Sequence, residues 1–427
     1  MRILIKGGNI VDPSSGVNRR GNILIDDGII HSYPERTKTI EKDAETRVID
    51  AAGKVVAPGF IDMHTNLGEP GYEHKETMRT GSMAAAAGGF TTVVCMPSTV
   101  PVNDNASVTE YILFKARTEA VVNVLPIGAI TKGLEGAYIA EIGEMREAGC
   151  VGVTDAQYPV MDSRVMRLAM EYTKAFDIPV ITDCQDVDLA TGGVANEGYI
   201  STMLGLKGVP SASEEVMVSR NISLAELAGA RLHISHVSTK GAVRLIREAK
   251  QRGCNITAEA APHHFGLTEQ AVIGYDTMAK VSPPLRTEAD VVALKEGLRD
   301  GTIDVIATSH SPHTEDEIKV EFDLAPFGIS ALETALQVSL QLVRDGVLTL
   351  PEMIEKFTVK PAQVLGIPKG SIRVGATADV VIFDEHELVT VDRATFLSKG
   401  KNTPFHGAEL TGRVLWTIVG GEVVYSV

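Results

Sequence analysis

Three things are scarce in this sequence, and each scarcity removes a class of function. No run approaches the ~18 consecutive apolar residues that a membrane-spanning helix needs. The opening residues 1–13 also carry no apolar core of the kind found in a secretion signal. We therefore expect a cytoplasmic protein with no membrane partner. Positive charge is short: 40 Lys and Arg stand against 55 Asp and Glu, a net charge of −15. Binding to a phosphate backbone depends on a basic excess, so nucleic acid is excluded as a partner. Cysteine is sparse and scattered. Cys95, Cys150, Cys184 and Cys254 form no C-x-x-C pair, and Cys95 and Cys150 lie in apolar runs. They read as reduced thiols of a cytosolic chain. There is no internal repeat and no low-complexity tract.

What is present is a long chain with ample apolar material. It has 427 residues, 44% of them hydrophobic, which suffices for a large core and exceeds a single small unit. Residues 1–57 read as short strands broken by glycine turns, such as Gly7-Gly8 and Asp26-Asp27-Gly28. Residues 371–427 read the same way, with strand-like runs at 378–383, 413–419 and 422–425. Neither end has enough strands to bury a core alone. We expect them to pair as one discontinuous β-sandwich flanking the middle.

The middle, residues 58–370, alternates apolar runs with helical periodicity. Eight runs stand out, at 60–63, 91–96, 121–127, 150–154, 178–182, 232–236, 255–258 and 304–308. Between them lie stretches such as 162–176, where Val165, Met166, Ala169, Met170 and Tyr172 follow a helical period behind a capping Asp162. Val243, Ile246 and Ala249 recur at the same kind of spacing. Alternating βα units imply a parallel sheet, and eight of them imply an α/β fold of the (β/α)8 TIM-type barrel class. Chemistry in such barrels sits where the strands end. Here those ends carry His64, Asp155, Asp183, His236, the pair His263-His264, and Ser309-His310-Ser311-Pro312-His313. Any one of them alone reads as a solvated loop residue. Their convergence on one rim would supply the imidazole and carboxylate set that catalytic zinc takes.

Several stretches are more specific than this. They include Pro58-Gly-Phe-Ile-Asp62, Glu69-Pro-Gly71, Gly88-Gly-Phe-Thr-Thr92, Cys95-Met-Pro97, Asn196-Glu-Gly198, His233-Ile-Ser-His-Val-Ser-Thr239, Pro283-Pro-Leu-Arg286, Ser309-His-Ser-Pro-His313 and Asn402-Thr-Pro404. Together they resemble the dihydroorotases of the zinc amidohydrolase superfamily, over essentially the whole chain. The resemblance implies the barrel with its composite sandwich. It also implies reversible cyclisation of N-carbamoyl-L-aspartate to dihydroorotate in pyrimidine synthesis. In that chemistry a metal lowers the pKa of its water and polarises the ring carbonyl, and an aspartate moves the proton.

Position by position, the resemblance breaks at the rim. His64 matches the first histidine of the family's His-x-His motif, but Asn66 stands at the second. Gly68 stands where the substrate-carboxylate arginine should be, and Ser98 and Ser282 replace two asparagines. Ala156 takes the place of the metal-bridging aspartate, Asp183 that of a histidine, and Ser309 that of the catalytic aspartate. His236, His310 and His313 remain. Catalytic groups act as a unit, so losses in several motifs together remove the route to the family reaction. The resemblance then implies a non-catalytic relative with no zinc. It would be a structural or assembly subunit for aspartate transcarbamoylase, a homo-oligomer, or both. The alternative is an active amidohydrolase with one zinc, held by residual candidates His64, Asp183, His236 and Asp155.

Overall fold

A computed structural model describes residues 2–33 and 46–427; residues 34–45, part of the N-terminal segment, lie outside the described residues. The barrel is built from two parallel sheets. One contains the strands Phe60–Thr65, Phe90–Cys95 and Asn123–Pro126. The other contains Val180–Asp183, Leu232–Ser235, Ile256–Ala260 and Val305–Ile306. Single bridges join them into a ring: Thr65 to His310, Gly128 to Val153, and Val153 to Val180. The fourth apolar run thus contributes one bridged residue, Val153, rather than a full strand. Every residue of Phe60–Thr65 and Phe90–Cys95 is buried. Helices cover one face and the barrel interior the other, which is why these strands do not alternate apolar with exposed polar residues.

The helices follow their sequence signals. Ser163–Thr173 starts at Asp162, whose carboxylate accepts from the backbone of Arg164 (2.7 Å) and Val165 (3.2 Å). Its buried face is Val165, Met166, Ala169, Met170 and Thr173. Tyr172 was expected on that face, but its ring stacks edge-on against Phe176 instead, and 43% of the residue stays exposed. Lys240–Gln251 buries Ala242, Val243, Ile246 and Ala249.

The two chain ends meet in the β-sandwich domain. Its strands hydrogen-bond in one order: Glu422–Ser426, Glu409–Val419, Val380–Thr390, Val55–Pro58, Arg2–Asp12, Val17–Asp26 and Ile29–Ser32, with Thr46–Asp50 beside Arg2–Asp12. Bulges in several pairings bend this sheet over an aliphatic core that includes Ile3, Ile25, Val380 and Ile418. Phenylalanines weld it to the barrel. Phe60 packs on Phe90 (5.8 Å between ring centroids), on Phe357 (5.0 Å) and on Phe383 of the sandwich (6.1 Å).

Many of the family-like motifs turn out to be scaffold. Buried Arg286 donates to Asn196 Oδ1 (2.9 Å), Val209 O (2.8 Å) and Ser238 Oγ (3.1 Å), and lies 3.9 Å from Glu214. Asn402 comes from the C-terminal segment and ties two rim loops. Its Nδ2 donates to Ser311 O (3.1 Å) and Gly328 O (2.9 Å), and its Oδ1 accepts from His313 N (3.0 Å).

Asp62 closes the ring between its first and last strands. Its carboxylate accepts from Thr308 N (2.6 Å), Thr308 Oγ1 (2.8 Å) and the Thr65 hydroxyl. Burial pushes its pKa up to about 6 despite these donors. Asp62→Ala would strand all three donors in the dry interior. We expect it to cost about 3–5 kcal/mol of stability, by analogy with breaking other buried charged contacts. A denaturant midpoint within experimental error of the parent would refute that assignment.

Candidate active site

Three of the expected strand-end residues come together, with a fourth that sequence reasoning missed. His64 ends the first strand, Asp183 the fifth, and His236 follows the sixth. Glu259 lies within the seventh. The rings of His64 and His236 sit 4.2 Å apart, edge to face. His236 Nδ1 lies 3.3 Å from Asp183 Oδ1, and its Nε2 lies 3.6 Å from Glu259 Oε1. The other oxygen of Glu259 is held by His233 Nε2 at 3.1 Å, and His233 Nδ1 meets Thr257 Oγ1 at 2.8 Å. One ligand atom each from His64, His236 and Glu259 falls within 4.8 Å of the others.

The electrostatics of the cluster are those of groups short of a cation. Burial pulls His236 down, but the charges of Asp183 and Glu259 outweigh it and hold its pKa up at about 9. Burial and the His236 charge pull His64 down to about 4. Asp183 and Glu259 are both held below the usual carboxylate range, because their histidine partners outweigh the penalty of burial. Both His236 ring nitrogens, Asp183 Oδ1 and Glu259 Oε1 are buried without a well-formed hydrogen bond. Two imidazoles and a carboxylate with unmet oxygens and nitrogens are the donor set of a single zinc ion. His233 behind Glu259 is the outer partner such a ligand needs to hold its orientation. The residues present therefore fit one divalent cation, although the expectation from family positions was none.

Asp155 does not join this set. Its carboxylate accepts from the backbone of Ile130 (2.7 Å) and Thr131 (2.9 Å) and from the Thr131 hydroxyl, so it holds the loop after the third strand. The two positions where aspartates were expected, Ala156 and Ser309, keep a left-handed backbone (φ 48° and 56°), as does His236 (φ 49°). Such strain persists where the surrounding structure imposes it, and it clusters at active sites. Two of these three left-handed positions, Ala156 and Ser309, carry neither an imidazole nor a carboxylate. His263 and His264 are buried, with His264 Nε2 bonded to Pro283 O at 2.8 Å and both Nδ1 atoms unpartnered.

A mouth cavity of about 490 Å³ is lined by Gly68, Ser98 and His313, three of the four expected substrate-contact positions. Ser282 lies outside this cavity but lines a small pocket with Asp183 and His236 of the cluster, its hydroxyl on Gln185 Oε1 at 3.3 Å. Gly68 is not an open vacancy. Its φ is +66°, and a Cβ there would meet Glu76 O at 2.6 Å and Tyr72 O at 2.8 Å. Among the described residues, Lys75 is the only lysine or arginine in the lining, and it is already occupied. Its Nζ pairs with Glu317 at 2.8 Å and meets His313 Nδ1 at 3.2 Å. His313 Nε2 donates to Phe327 O at 2.9 Å, and burial is the main reason its pKa falls to about 4. Glu76, also in the lining, is kept ionised against burial by His310 and Ser398.

Glu259 could have been found in the sequence. It is the single charge in the strand Ile256–Ala260, one strand away from His233 and His236. The cavity walls Tyr72, Tyr158 and Phe327 come from loops, which carry no periodic signal.

Among known proteins, the dihydro-orotase-like family matches residues 53–242, and the amidohydrolase family matches residues 337–425. The chain is 50% identical to a protein named dihydroorotase from Syntrophus aciditrophicus, over all of both chains. It is 54% identical to another so named from Pelotomaculum thermopropionicum, over 99% of this chain and 98% of the other. Among solved structures it is similar to an L-hydantoinase (dihydropyrimidinase) from Arthrobacter aurescens, at TM-score 0.88 and 26% identity, covering 99% of this chain and 96% of that one. The dihydropyrimidinase of Brevibacillus agri gives TM-score 0.87 at 25% identity, covering 100% and 95%. No helix among the described residues is long and apolar enough to cross a membrane.

Proposed function

The chain belongs to the dihydroorotase family of amidohydrolases, and on that premise we propose that it has lost the dihydroorotate reaction and serves as a non-catalytic assembly subunit for aspartate transcarbamoylase. One observation carries the loss. At the rim, Ser309 and Ala156 hold a left-handed backbone without a carboxylate, and any side chain at Gly68 would run into the Glu76 and Tyr72 carbonyls. The reaction needs an acid/base and an anchor for the substrate carboxylate, and neither side chain is there. Against this stands a scaffold with its packing and its buried Arg286 and Asn402 networks in place. A well-packed body with an altered mouth suits a protein kept for its surfaces.

Pull-down of the full chain from cells tests the partner. Aspartate transcarbamoylase should co-elute in fixed ratio, and its failure to do so would remove this reading.

A specific observation favours a second reading. The His64–His236–Glu259 cluster, with Asp183 beside it, fits one zinc, and the curated relatives half identical to the chain carry the name dihydroorotase. On this reading the protein is a cyclic amidohydrolase with a single metal. A bound zinc would supply an activated water and polarise an amide carbonyl. His64, His236 and Glu259 would hold it, with His233 fixing Glu259. Metal analysis of the pure protein, paired with an assay of dihydroorotate hydrolysis, separates the two. Stoichiometric zinc with turnover supports the second reading, whereas background hydrolysis supports the first.

A further inference from the structure

The metal-fitting cluster does not open onto the mouth cavity. Among the described residues lining that cavity, none is His64, Asp183, His236 or Glu259. The cluster meets instead a small pocket of about 20 Å³, lined in part by Asp183, His236 and Ser235. That is room for one water or a small ion and no more. Ser235 Oγ is buried there with no hydrogen-bond partner, as are Asp183 Oδ1 and both His236 ring nitrogens. Asp183 is the most exposed member of the cluster. Its side chain is 16% open, against 2% for His236 and 1% for Glu259, and His64 is buried.

A second cavity, of about 480 Å³, adjoins this pocket. The two share Gln185 and Ser282 in their walls, whereas the mouth cavity shares only Gln157 with the pocket. Gln185 stands two residues after Asp183, just past the end of the fifth strand. Ser282 Oγ donates to Gln185 Oε1 at 3.3 Å, which is long for a hydroxyl donor. One loose bond between two neutral, partly exposed side chains thus stands between the cluster and a cavity far larger than a water. The opposite wall is firmer. Buried Lys280 donates from Nζ to Phe322 O (2.7 Å), Asp323 O (3.1 Å) and Ala325 O (2.7 Å), and it lies 4.7 Å from the centre of the Phe327 ring. These contacts hold the loop 322–328 in place, and its Phe327 lines both large cavities and separates them.

We propose that the second cavity is the passage by which water and a small divalent cation reach the cluster, with the Gln185–Ser282 bond as its gate. For the cation this rests on the single-metal reading; for water it does not. Neither gate residue holds the metal. A gate sets the height of a barrier, so it moves the rates of entry and exit by the same factor and leaves affinity alone.

Stopped-flow uptake of zinc by the full metal-free chain, and extraction of that zinc by a chelator, test the passage. Gln185→Ala should speed both about two- to tenfold, the weight of one neutral hydrogen bond, at unchanged zinc affinity. Gln157→Ala, on the side of the mouth cavity, should change neither rate. Lys207→Trp, at an exposed position in the wall of the second cavity, should slow both. Faster exchange in Gln157→Ala but not in Gln185→Ala would route the passage through the mouth cavity and overturn the proposal. A changed affinity in Gln185→Ala with unchanged uptake would also overturn it, since Gln185 would then support the ligands rather than gate them. A second readout needs no metal. Cys184 lines the small pocket and is 3% exposed, while Cys95 and Cys150 are as deeply buried elsewhere. Labelling by methyl methanethiosulfonate, read by peptide mass, should quicken at Cys184 in Gln185→Ala by a similar factor, with Cys95 and Cys150 at their parent rates. Equal quickening at all three would mean a loosened fold, and none at Cys184 would mean no passage; either sinks the proposal. A chain that takes up no zinc removes the single-metal reading alone, because Cys184 labelling still decides the passage.

Discussion

Putting back two of the missing groups, in the double variant Asn66→His, Gly68→Arg, is expected to leave dihydroorotate hydrolysis at background and to lower stability. The first outcome follows from cooperation among catalytic groups: a second imidazole and a guanidinium cannot act without the carboxylates absent at Ala156 and Ser309. The second follows from geometry at Gly68. The residue sits at φ +66°, and Tyr72 N donates to its carbonyl at 2.6 Å. Any side chain begins 2.6 Å from Glu76 O and 2.8 Å from Tyr72 O, and these are backbone atoms that cannot swing aside. Accommodating an arginine means reopening the loop 68–76. The strain should cost about 1–3 kcal/mol, and Asn66→His also gives up the bond to His310 O. Steady-state assay and thermal melting read the two effects. Measurable turnover would mean that the rest of the rim supplies the proton transfer after all. An unchanged melting temperature would mean that the loop opens freely.

Zinc affinity should rise about tenfold for each pH unit below about 9, which amounts to about a hundredfold between pH 7 and pH 9. The sign comes from His236. Asp183 and Glu259 outweigh burial and hold its pKa up at about 9, so in the metal-free protein the ring is protonated at neutral pH. A ring nitrogen must shed that proton to bind metal, and below its pKa each unit of pH makes the loss ten times harder. Above about 9 the slope should flatten. His64 contributes no slope in this range, because burial and the His236 charge have already pulled it down to about 4. Competition against a chelator of known pH dependence measures the profile. A flat profile would place the ion, if any, away from His236. Glu259→Gln should weaken binding while leaving a side chain that His233 can still meet.

Much of the architecture was legible because barrel strands are buried on both faces and helices on one. The buried strand-like runs at 60–63 and 232–236, and the Asp162 cap with its periodic helix, report those environments directly. The fourth run was less truthful. Residues 150–154 are apolar because they are buried, yet only Val153 is bridged, since burial and pairing are separate requirements. Tyr172 kept the helical period but not the burial, because its ring leans onto Phe176 at the surface. At the site, the losses at Asn66, Gly68 and Ser309 were readable as residue types. Their geometric sense was not. The crowded backbone at Gly68 depends on how its own loop folds back, and the turning of Asp155 toward Ile130 and Thr131 depends on a second loop packed against it. Glu259 went unseen because one acidic residue in a strand is usually read as an edge position.

Asn402 gives the barrel a dependence on time as well as on space. It lies near the end of the chain, yet it is the residue that ties the loops carrying Ser311, His313 and Gly328. Synthesis runs from the other end, and the barrel strands emerge first. The last barrel strand, Val305–Ile306, is made well before Asn402, so the ring's strands are complete while its mouth is still untied. The rim loops are set only when the segment carrying Asn402 arrives, so a late segment finishes what the barrel strands begin.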